Sequence, residues 1–208
     1  MKSGDKFILT TITLLFLYSC SQLTKPKENI SDTTTQEKLE KVTIDKEYLI
    51  EEKSIEGFKT EDIYSAKSSE LTYEEKLRAF QTDEGIDTMN VVSVSDKKGK
   101  LFDIVLYDKI DKRIQKIIIE SDRCKTKDRI SINSTLNDFT KVYSDFSIEF
   151  SYISNSFWVN TKKLNSVNFY LDSECYRGSQ DGLYDSDMAI VNLKDFDKNC
   201  KISEIIIF

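Results

Sequence analysis

Apolar and polar residues alternate most cleanly over residues 146–152, where Phe146, Ile148, Phe150 and Tyr152 are separated by Ser147, Glu149 and Ser151. A period of two belongs to a strand with one face buried and the other wet. Shorter β-branched and aromatic runs at 91–94, 101–107, 113–120, 157–160, 167–171 and 202–208 predict further strands. Asp96-Lys97-Lys98-Gly99 reads as a hairpin turn after the first of these runs, and residues 108–112 as the turn after the second. Such short connections predict a three-strand meander.

Two stretches read as helices. Thr72-Tyr73-Glu74-Glu75 matches a capping box ahead of Lys76, Leu77, Arg78, Ala79 and Phe80, which predicts a helix over 73–81, broken by Gly85. A second helix is expected to start at Asn133 or Ser134, with Asp138 in its first turn and Leu136, Phe139 and Val142 on one face. Together these predict an α+β domain over 42–208: a mainly antiparallel sheet with one or two helices packed on one face.

The N-terminal end has a different pattern. Lys2 and Lys6 precede an apolar run at 7–17, well short of the ~20 residues that span a bilayer, so it reads as an export signal rather than an anchor. The run ends at Leu17-Tyr18-Ser19-Cys20, which resembles the lipobox of bacterial lipoproteins; Leu17 and Ser19 follow that pattern, while Tyr18 stands where a small residue is usual. The resemblance covers only these first residues. It implies a signal peptide at 1–19, lipidation of Cys20, and partnership with a membrane through that lipid. Ser21 follows, where Asp resembles an inner-membrane retention signal, so outer-membrane attachment is implied in a cell that has an outer membrane. Several acyl chains are needed because each buried methylene contributes only about 0.8 kcal/mol. Residues 20–41 are polar, carry the only proline (Pro26) and few core-forming residues, and read as a flexible tether.

Charge and composition narrow the function classes. Removal of Lys2, Lys6 and Asp5 with the signal takes the formal charge from −6 to −7, which argues against nucleic acid as a partner. The chain has no histidine, so Ser-His and Cys-His nucleophile pairs and His-ligated zinc are excluded. Besides Cys20 there are Cys124, Cys175 and Cys200. In an oxidising compartment one disulfide is expected; Cys175 follows one predicted strand and Cys200 precedes the last, and Cys124 competes as a partner for either.

The segment between Cys175 and Cys200 is long and acidic. Asp181, Asp185 and Asp187 are candidate oxygen ligands for calcium, although their spacing is not that of an EF-hand loop. Phe157, Trp158 and nearby tyrosines are candidates for a stacking platform under a sugar ring, against the alternative that they are core residues. The expected function is therefore an envelope lipoprotein that binds or scaffolds an envelope protein or glycan without catalysis. It would face the periplasm from the outer membrane or stand on the cell surface. The alternatives are a carboxylate-based hydrolase acting on an envelope polymer and a calcium-dependent adhesion module.

Overall fold

The structure, a computed structural model, describes residues 46–82 and 85–208. The expected signal at 1–19, Cys20 and the tether at 20–41 lie outside the described residues. Among the described residues the strands are β1 (Tyr48–Ile50), β2 (Ser54–Ile55), β3 (Phe58–Lys59), β4 (Thr72–Thr82), β5 (Gly85–Asp96), β6 (Gly99–Leu106), β7 (Ile114–Ile119) and β8 (Cys124–Thr126). A single α-helix, α1 (Leu136–Val142), precedes β9 (Phe146–Ser151), β10 (Ser156–Thr161), β11 (Val167–Leu171), β12 (Met188–Val191) and β13 (Ile202–Ile207). The fold is mainly β, with less helix than the α+β expectation.

Nine strands form one antiparallel sheet in the order β12-β9-β10-β11-β13-β7-β6-β5-β4. A smaller sheet, β3-β2-β1-β8, has β1 and β8 parallel. Register explains why the large sheet holds together. One row of directly opposed residues crosses all nine strands: Tyr73, Val94, Phe102, Ile119, Ile205, Phe169, Val159, Ile148 and Val191. Every member from Val94 to Val191 is buried, and each such side chain contributes roughly 1.5–3 kcal/mol by leaving water. A one-residue slip in any strand would turn its share of the row to the opposite face.

The small sheet and the helix both cover this inner face. Phe58 of β3 meets Phe102 edge-on at 5.9 Å, and Phe139 of α1 meets Phe169 at 5.0 Å. An ion network fastens the small sheet: the Arg123 guanidinium donates to both Asp96 oxygens, and the Tyr48 hydroxyl donates to Asp96 at 2.8 Å. Arg123 in turn holds the Asp96 carboxyl well below its ordinary range.

The expected helix over 73–81 is instead β4, paired with β5 from Thr72↔Ser95 to Thr82↔Gly85. Its Glu, Lys and Arg content follows from its place at the sheet margin, where charges face water. Thr72 caps nothing; its hydroxyl donates to the Ser95 carbonyl. The meander β5-β6-β7 forms as predicted, with Gly99 at φ 122° closing the first turn, a conformation that glycine adopts freely. The helix cap is Thr135 rather than Asn133 or Ser134, in a reciprocal box with Asp138. Leu136 and Phe139 are buried, but Val142 is exposed and the buried Tyr143 takes its place.

Candidate functional site

The long segment between β11 and β13 is built from local capping and one crosslink. Asp172 accepts from the Glu174 amide and starts a short 3-10 turn that delivers Cys175 beside Cys200. The two cysteines are joined in a disulfide with their α-carbons 5.5 Å apart. They lie together because β11 and β13 are antiparallel neighbours, so the end of one strand meets the start of the other. Cys124 is buried and free, its thiol pushed up to about 12 by burial, which keeps it protonated and unreactive.

Aromatic packing then seats the segment on the core. Tyr176 stacks on Phe157 at 4.8 Å, and Phe196 meets the same ring edge-on at 5.2 Å. Gly178 lies so close to the Tyr176 ring and Asp195 that an added Cβ would fall under 3.0 Å from both. Further along, Tyr184 packs edge-on against Phe150 and Tyr152. The segment thereby presents β12 along β9 as the last strand of the large sheet.

This margin is apolar and exposed. Ile190 is 85% exposed and Met188 56%, while Tyr152, Ile153 and Tyr184 are each about half exposed. Met188 and Ile190 share one face of β12 and Val191 points into the core, as strand alternation requires. Main-chain directions follow from one bond: the Tyr152 amide donates to the Asp187 carbonyl opposite it. Hydrogen-bonded and non-bonded pairs alternate in an antiparallel ladder, so Ala189 and Val191 bond to β9, and Met188 and Ile190 turn their main-chain groups outward. The Met188 carbonyl accepts from the Ser186 hydroxyl at 2.6 Å.

The candidate calcium ligands Asp181, Asp185 and Asp187 are exposed at the entry to β12. Among the described residues they form no ion pair, and no three His, Cys, Asp or Glu side chains are gathered as a metal would need. Phe157 and Trp158 do not share a platform. Consecutive strand residues point to opposite faces, so Phe157 enters the core while Trp158, 8% exposed, tilts against Tyr170 on the outer face.

Carboxylates also gather on that outer face. Asp103 is fully buried; burial pushes its pKa up, but Ser93 and Lys100 outweigh this and leave it lowered, with Arg78 donating to the same carboxylate at 2.9 Å. Glu204 is raised by burial and lines a shallow cleft of about 440 Å³ with Tyr170 and Asp172, whose carboxylate is the cap of the 3-10 turn.

The sequence signal for the β12 margin is the four-residue apolar run Met188-Ala189-Ile190-Val191 inside an acidic segment. The chain matches no protein-family model and no curated protein. Among solved structures it is similar to the crystal structure of the uncharacterized protein yfeY from Escherichia coli, at 12% identity, 76% of this chain, 98% of that chain and a TM-score of 0.47.

Proposed function

We propose that this chain is a membrane-tethered binding module of the bacterial envelope that holds a protein partner along β12 and performs no chemistry itself. The tether is the lipid expected on Cys20, and the expected location is the outer membrane. The observation that carries the binding role is the exposed margin of Met188, Ile190, Tyr152, Ile153 and Tyr184, set on a disulfide-bonded and aromatic base. Grouped apolar side chains at a surface mark interaction sites, whereas single ones do not.

Site-specific photo-crosslinking in intact cells tests the reading. A crosslinker at position 190 should yield a discrete adduct with an envelope protein, while one at position 77 on β4 should not. Absence of any adduct at 190 would remove the binding role. The tether is tested separately by intact mass and fractionation: the wild type should be membrane-bound with a lipid-sized increment, and Cys20→Ser should lose both.

A further inference from the structure

We propose that the partner binds by strand addition, as an extended apolar segment ending in lysine or arginine, paired to β12 with its basic end against Asp185 and Asp187. The proposal rests on the binding role given above and specifies its geometry and partner chemistry.

Three features converge on this occupant. The first is the open ladder: the main-chain groups of Ile190 and the Met188 amide face outward from β9, as a strand edge does before another strand joins it. An added strand would satisfy them, and main-chain pairing of this kind supplies affinity largely independent of sequence. The second is apolar cover on both sides of the ladder. Met188 and Ile190 flank one face of the added strand, and Tyr184, packed on Tyr152 and Phe150, flanks the other. Alternate side chains of the incoming segment would therefore both leave water, which calls for a run of apolar residues rather than an alternating one.

The third is charge. Asp181, Asp185 and Asp187 carry no ion pair among the described residues, although Lys and Arg elsewhere in the chain are widely paired. Unpaired carboxylates at one end of β12 select a cationic end on the occupant and set its direction. A second copy of this chain suits the site less well. Antiparallel pairing of two β12 strands would lay residues 192–197 of one copy, where Lys194 stands beside Asp195 and Asp197, along Asp185 of the other, and would join two chains of the same negative charge.

The test uses the full-length protein in detergent and two synthetic acetylated peptides, each with four β-branched residues followed by either three lysines or three glutamates. The basic peptide should bind at least about ten-fold more tightly than its acidic twin, a preference that shrinks with added salt. It should also slow hydrogen exchange at the Met188 and Ile190 amides while leaving β4 unchanged. Ile190→Lys should abolish binding, and the paired change Asp185→Asn with Asp187→Asn should erase the preference between the peptides while leaving the fold intact. Equal binding of the two peptides, or protection at β4 instead of β12, would overturn the proposal. Protection that rises with protein concentration in the absence of peptide would also overturn it, in favour of a second copy. If position 190 crosslinks in cells but neither peptide binds, strand addition of a basic segment fails and the binding module stands; if position 190 gives no adduct, both fail.

Discussion

Strand β4 closes one side of the nine-stranded sheet with Glu74, Glu75, Lys76 and Arg78, whereas β12 closes the other with Met188, Ala189, Ile190 and Val191. Both margins leave main-chain groups open to pairing. On β4 the side chains guard against it: Glu75 pairs with Lys112 at 3.0 Å, and Arg78 reaches across the outer face to Asp103 and Glu120. On β12, among the described residues, no ion pair stands beside the ladder, and its four-residue length limits pairing. Natural sheets blunt their edges with charge where pairing is unwanted. An edge left apolar in a chain that guards its other edge with charge is what the proposed strand addition calls for. The two margins also differ in how they are held: β4 is tied down by ions and β12 by a covalent bond.

The strongest way to break that contrast is to cut the ionic tie. Asp103→Asn replaces a buried charged acceptor of hydrogen bonds from Ser93, Lys100 and Arg78 by a neutral amide that brings donors of its own; at roughly 1.5–3 kcal/mol for each bond to a charged group, the change should cost about 3–5 kcal/mol in denaturant unfolding. Hydrogen exchange should rise first in β4 and later in β12. A loss under about 1 kcal/mol would show that the ion cluster does not hold β4.

Cutting the covalent tie should cost slightly less and act at the opposite margin. The disulfide spans 25 residues of sequence, so replacing Cys175 and Cys200 together by Ala should destabilise by about 3 kcal/mol under the loop-entropy account. The crosslink also ties down the segment that carries β12, so β12 should lose more exchange protection than β4. Equal loss at both margins would mean that the bridge acts only on the unfolded chain.

How much of each margin could be foreseen depends on where its information lies. The core strands declare themselves because their side chains alternate or run apolar: Ile148 and Phe150 at β9, and Ile117 to Ile119 at β7, are buried as their patterns imply. Cys175 and Cys200 are readable because both flank strand-like runs. β4 is misread because an edge strand and a surface helix both expose Glu, Lys and Arg, and the local composition carries no sign of the eleven-residue ladder that β5 provides. β12 is missed for a related reason. Four apolar residues are too few to stand out from a loop, and their exposure is settled by the distant strand β9 beside them.

Acid should separate the two margins without mutation. Asp103 and Asp96 both have lowered pKa values in the folded chain, so each contributes stability that is complete above its unfolded value of about 3.9 and is lost as pH falls through its folded value. Below about pH 4, exchange should therefore rise in β4 and in the small sheet before it rises in β12, whose disulfide does not titrate. Glu204 acts in the opposite sense. Burial raises it, so its ionisation weakens the fold as pH rises above its unfolded value of about 4.3. Glu204→Gln should then raise the melting temperature at neutral pH and leave it unchanged near pH 3. A lowered melting temperature at neutral pH would mean that Glu204 is held by its neighbouring cations rather than strained by burial.

The smallest change in stability should accompany the largest change in association. Ile190→Lys on β12 and Glu75→Ile on β4 exchange the characters of the two margins at positions already exposed to water. Surface changes away from the core typically fall within about 0.5 kcal/mol, so both variants should unfold close to the wild type. Their stickiness should nevertheless move in opposite directions. Lysine at 190 places a hydrated charge beside the open ladder and should suppress binding of hydrophobic dye and any concentration-dependent association seen by sedimentation. Isoleucine at 75 removes one guard from β4 and frees Lys112, but Lys76 and Arg78 remain nearby, so its effect should be the weaker of the two. If Glu75→Ile proved the more adhesive change, or if Ile190→Lys left dye binding untouched, the apolar margin would be inert surface and the guarding of β4 would need another cause.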